Sequence, residues 1–158
     1  MPHVAIEAVL MTPLLVVQML LFPFVASTMS SYWANATREV TLQETASQIG
    51  STIQQLYLSL NRIEVSTGTI TQASTFPTAI DGHSYTAKGS LRTSLNPNSG
   101  KILTLNLTLQ GLGNSVTAQT SLGPNVSWNQ NSIFYSSSPN ALIKVQKFAN
   151  GTLLFSFG

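Results

Sequence analysis

The sequence predicts an α+β protein: one long N-terminal helix packed on a C-terminal antiparallel β domain of about six strands. Three patterns predict it. Residues 8–37 carry no charged side chain and are mostly Leu, Val, Met, Phe and Ala. Residues 42–63 then place apolar side chains at heptad spacing. Much of residues 84–157 alternates apolar and polar side chains with the period of two expected of half-buried strands.

The apolar run comes first. About 20 apolar residues cross a bilayer core. A signal-peptide core is shorter, roughly 7–15 residues, and follows a basic start. Here the start is MPHVAIE, without Lys or Arg, and no small-residue cleavage site follows the run. The segment is therefore expected to be retained, and Met1 to be the first residue of a processed chain. Pro13 and Pro23 each withdraw a helical hydrogen bond, from the carbonyls of Val9 and Met19, so one bent helix is expected rather than two. Tyr32 and Trp33 fall where an interfacial aromatic belt would lie. Glu7 stands at the rim of this run, and a charge there calls for a partner or a function.

Beyond Thr37 the chain becomes amphipathic. Leu42, Ala46, Ile49, Ile53, Leu56, Leu60 and Ile63 follow one another at alternating steps of four and three. No proline interrupts residues 24–76. One helix over residues 4–64 follows, roughly 90 Å long at about 1.5 Å per residue. The stripe suits either a dimeric coiled coil or the inner face of a β domain. The second is preferred, because the stripe is short and a β domain follows that needs cover. The expected division is residues 1–64, with 1–37 for membrane or filament core and 38–64 amphipathic, and residues 65–158 as a globular β domain.

Residues 65–80 read as a linker. In SYTAKGSLRTSL, Tyr85, Ala87, Leu91 and Leu95 lie on one face, and NPNSG at 96–100 is a turn. In KILTLNLTLQ, Leu103, Leu105, Leu107 and Leu109 face one way. Residues 114–121 repeat the pattern weakly through Val116 and Ala118. Residues 132–136, 141–148 and 152–157 complete a meander or small sandwich with one face to the core. Asn150-Gly151 signals a two-residue hairpin loop. Asn35, Asn106, Asn125 and Asn150 match the N-glycosylation sequon. Four matches barely exceed chance for this Asn, Ser and Thr content. Their placement on a polar strand face, in a loop and in a turn makes Asn106, Asn125 and Asn150 the better candidates, ahead of Asn35 on the helix.

Composition argues against several functions. Charged residues are 8%, against roughly 25% in ordinary soluble domains. Ser, Thr, Asn and Gln are 59 of 158 residues, which is not the surface of a typical cytosolic enzyme. A net charge of +2 from scattered basic residues forms no patch for nucleic acid. Cysteine is absent, which removes disulfides, thiolate catalysis and cysteine metal sites. His83 stands in DGHS with Asp81 and Ser84, but three near neighbours in one turn cannot assume triad geometry. No metal-ligand spacing or phosphate loop appears, so neither an enzyme nor a cofactor is expected. Trp128, Phe134, Tyr135, Phe148, Phe155 and Phe157 read as core or as subunit contacts.

The layout resembles a type IV pilin of the archaeal sort. The resemblance rests most on VAIEAVLMTPLLVVQMLLFPFVA, then on the amphipathic continuation and the β-rich, Ser/Thr/Asn-rich, cysteine-free tail; the β domain has no diagnostic motif. It implies a structural subunit that polymerises through its N-terminal helix. A prepilin peptidase, an assembly ATPase and a membrane platform would act on it in turn. The chain would reside in the cytoplasmic membrane before assembly and in an extracellular filament afterwards. The family often carries its acid two residues earlier than Glu7, about 3 Å along a helix. The resemblance makes Glu7 and the α-amino group of Met1, its own or a neighbouring copy's, an assembly pair. The apolar start lacks the Gly/Ala character of archaellins, which favours an adhesion pilus. A single-pass surface protein, a minor pseudopilin and an archaellin are the alternatives.

Overall fold

The computed structural model describes residues 3–62, 64–92 and 99–158, with side chains from residue 11 onward. The chain forms two compact units, Met1–Thr37 and Arg38–Gly158. Helix α1, His3–Leu60, supplies all the described structure of the first unit and opens the second.

In the first unit the hydrogen-bonded helix runs through both Pro13 and Pro23. Several of its hydroxyls turn back on the backbone. Thr28 donates to the carbonyl of Val25 (2.8 Å) and Ser31 to that of Ser27 (3.0 Å). Such bonds let a hydroxyl sit in apolar surroundings without an unmet donor.

Among the described residues the second unit is an α+β fold of α1 and eight strands. These are β1 Gly68–Ala73, β2 Tyr85–Arg92, β3 Lys101–Leu109, β4 Ser115–Leu122, β5 Val126–Trp128, β6 Ile133–Tyr135, β7 Leu142–Lys147 and β8 Leu153–Phe157. They make two four-stranded sheets of order β1-β7-β8-β5 and β4-β3-β2-β6. All pairs are antiparallel except β5 with β8. Two strands exceed the expected six. β1 lies inside the stretch read as a linker, because GTITQA has no apolar alternation to announce it. β5 is only three residues and hides between Gly123-Pro124 and Asn129. Most of the turn at 96–100, and Ile63 of the heptad stripe, lie outside the described residues.

The heptad stripe of α1 is core. Leu42, Ala46, Ile49 and Ile53 are fully buried, Leu60 nearly so, and Leu56 packs half-buried against them. Each large aliphatic among them contributes about 1.5–3 kcal/mol of burial. Gly50 lets the helix approach closely: a Cβ there would lie 3.6 Å from Thr120 Cβ and 3.7 Å from Leu105 Cδ1. The alternating leucines of β3 are buried, and Ile102 and Asn106 face solvent. Aromatic rings join the two sheets, with Phe134 of β6 edge-on to Phe157 of β8 at 5.6 Å. Tyr135 and Phe148 are not core; they are 47% and 40% exposed.

Two turns depart from expectation. Asn150-Gly151 is not a two-residue loop. Gly151 N donates to Phe148 O (3.0 Å), Phe148 N to Thr152 O (2.9 Å), and Gly151 alone has positive φ, at 80°. That is a three-residue loop with a left-handed glycine closing it. The two-residue turn is instead Asp81-Gly82, with φ of 49° and 76°, flanked by reciprocal bonds between Ile80 and His83.

Candidate assembly surface

Among the described residues, the first unit exposes a long run of large apolar side chains. Met19, Leu20, Phe22 and Phe24 expose from 68% to 77% of their area, and Leu14 to Val17 about half. Exposed apolar side chains encircle the helix rather than forming a stripe. α1 is long and apolar enough to cross a membrane. Left in water, such a continuous patch drives association, since monomers rarely expose more than a few hundred Å² of it. Tyr32 and Trp33, 82% and 73% exposed, end the run. Pro23 has no N–H to offer Met19, and a cleft opens there between Leu15, Met19 and Phe22. Met1 lies outside the described residues, and so does the side chain of Glu7.

In the second unit, side chains from a distant turn and a distant strand fasten both ends of its helical segment. At the start, Arg38 Nε donates to Asp81 Oδ2 at 2.6 Å. The two-residue turn holds Asp81 in place, so DGHS acts as a tether, while His83 takes part in its flanking bridge. At the end, Lys147 Nζ donates to the carbonyls of Leu60 (2.8 Å) and Arg62 (2.6 Å). A cation there meets the negative end of the helix dipole. The last turn of the helix itself holds no basic residue. Sequence reading missed Lys147, because its partners are 85 and 87 residues away.

The chain matches no protein-family model, no curated protein and no solved structure.

The sequon asparagines fall into different settings. Asn106 is exposed on the solvent face of β3. Asn150 is exposed in its turn, where its Oδ1 accepts from Thr152 N at 3.0 Å. Asn125 is half-buried and committed. It donates to Asn61 Oδ1 (2.7 Å) and to Gly151 O (2.9 Å), and accepts from the Tyr57 hydroxyl (3.3 Å). Its side chain knits the end of α1 to the β7–β8 turn. Asn35 is exposed on the helix of the first unit. Among the described residues, no three His, Asp or Glu side chains gather as metal ligands would.

Proposed function

We propose that this chain is the major structural subunit of an extracellular filament of the type IV pilus kind, polymerising through its N-terminal helix and serving adhesion. One observation carries the reading. A helix that is apolar all round and exposed from Met11 to Val25 belongs to a chain whose other unit has a complete core of its own. Such a helix must be covered, by lipid before assembly and by other copies after it. The Ser/Thr/Asn/Gln-rich, weakly charged β unit suits an outer wall. Four sequons, three of them exposed and two of those on the β unit, suit an extracellular glycoprotein. Prepilin peptidase, an assembly ATPase and a membrane platform are the partners this reading requires.

Shearing of cells and identification of the fibre protein tests it. The chain should dominate the sheared fraction; confinement to the detergent-soluble membrane would overturn the reading. Within it, Glu7 pairs with an α-amino group, because an unpaired carboxylate in a desolvated helix bundle is costly. Glu7→Ala should insert in the membrane and assemble poorly, and normal fibre yield from that variant would remove the pairing.

A second reading rests on the same helix, whose length also suits a single-pass surface protein or minor pseudopilin. Low copy number and detergent-extractable monomers would favour it. An archaellin would be marked by loss of swimming on deletion, with adhesion intact.

A further inference from the structure

The two sheets end in four edge strands: β1, β5, β4 and β6. Open edges template pairing with other chains, and proteins blunt them with shortness, charge, proline or bulges. β5 and β6 are blunted by shortness, at three residues each. β1 and β4 are not. β1 (GTITQA) has six residues and β4 (SVTAQTSL) eight, without charge or proline. The registers of both run without a bulge.

The ladder parity identifies the groups left over. Ser74 N donates to Ala141 O (3.1 Å), so Gln72, Ile70 and Gly68 take the hydrogen-bonded pairs with β7. The N–H and C=O groups of Thr69, Thr71 and Ala73 therefore point away from the sheet. All six β1 residues are exposed, so β1 stands clear of the core on both faces. On β4, Leu109 N donates to Asn114 O (2.9 Å), which turns the backbone of Ser115, Thr117, Gln119 and Ser121 outward. Gln54 Nε2 reaches the outward carbonyl of Ser121 at 3.4 Å. The rest of that edge faces a groove of ≈ 470 Å³ between α1 and β4, lined by Gln43, Ser47, Gln54 and residues 117–120.

We propose that β1 of one copy adds to the β4 edge of the next, in the groove beside α1. The occupant is a second copy because the uncharged rib and the uncharged, hydroxyl- and amide-lined groove complement each other. Each copy carries one of each, on different sheets. Such a contact is heterologous and propagates rather than closing as a dimer. Main-chain hydrogen bonds would supply the affinity, as in other strand additions. This inference rests on the filament reading and names the contact between its globular units.

Two measurements test it on the full chain. Thr71→Pro deletes an outward N–H and leaves the β7 pairing intact, so it should melt like the natural protein and yield at least tenfold fewer fibres. Because the chain has no cysteine, Thr71→Cys combined with Thr117→Cys should give a ladder of oligomers under a short thiol crosslinker, and neither single variant should. Fibres at natural yield from Thr71→Pro, or monomers alone after crosslinking of assembled fibres, would overturn the contact while the filament stands. Absence of this chain from natural fibres would instead overturn the filament reading.

Discussion

The indole of Trp128 lies directly over Gly89: a Cβ on that glycine would come within 2.3 Å of indole carbons Cε2 and Cζ2. Gly89 is on β2 and Trp128 on β5, so this contact joins the two sheets. Trp128 is held in turn by Phe155, stacked at 6.5 Å, and by Phe157, edge-on at 5.1 Å. A strand glycine marks a close approach of this kind.

Gly89→Ala should therefore destabilise the second unit by about 1–3 kcal/mol, as overpacked cores do. Gly68→Ala meets nothing within 4 Å and should stay within about 0.5 kcal/mol. Urea melts of both variants check the contrast; equal midpoints would mean that Trp128 moves aside freely.

Lys147 should matter through its ammonium. Lys147→Met keeps most of the stem and removes both bonds to the end of α1. A loss of about 1–2 kcal/mol is expected. Hydrogen exchange should rise in the last turn of α1 before it rises in β3. Unchanged protection there would show that water replaces the lysine without cost.

Asp81 combines a turn role with a charge role, and substitutions separate them. Asp81→Asn keeps a residue that tolerates φ of 49° and removes the pair with Arg38, whose partner is 56% exposed. It should cost under about 1 kcal/mol. Asp81→Val adds backbone strain of about 1–2 kcal/mol. Equal melting points for the two would assign the loss to the ion pair, which both variants remove.

Tyr85 is fully buried, and its hydroxyl donates to Pro77 O at 2.8 Å. Burial raises its pKa from 10.0 to about 12. The folded state thus holds this proton where the unfolded chain releases it. The stabilisation is complete below pH 10 and is lost as pH rises toward 12. Tyr85→Phe should cost about 1 kcal/mol at neutral pH and flatten the decline over that window. Parallel slopes for the two proteins would rule the residue out as its source.

Asn106 and Asn125 should behave oppositely on substitution. Asn106→Gln should remove one glycan-sized step in the mass of the native protein and leave stability alone. Asn125→Gln should leave the mass pattern unchanged and lower the melting point, because three hydrogen bonds depend on that amide. Glycan found on Asn125 would show that the network forms after modification or not at all.

Local pattern determined the larger features. A heptad stripe and alternating leucines each encode burial through a repeat of seven residues or fewer, and an unbroken apolar run marks out the exposed helix before them. They placed α1, the buried face of residues 42–60 and the core leucines of β3. The same logic read the turn signals too generally. Asn150-Gly151 and Asp81-Gly82 carry similar local preferences, and only the strands they join decided which became the two-residue turn.

Tertiary structure decided what depends on partners far apart in sequence. β1 has no amphipathic alternation and becomes a strand because β7 offers it a ladder. β5 is a strand of three residues because β8 lies parallel beside it. Lys147 serves a helix end 85 or more residues away, and Asn125, legible as a sequon, is spent on packing. Gly89 carries no side chain on β2, and Trp128 fills the space this leaves. Such contacts are set by which surfaces meet once the sheets close, and no short-range period records them.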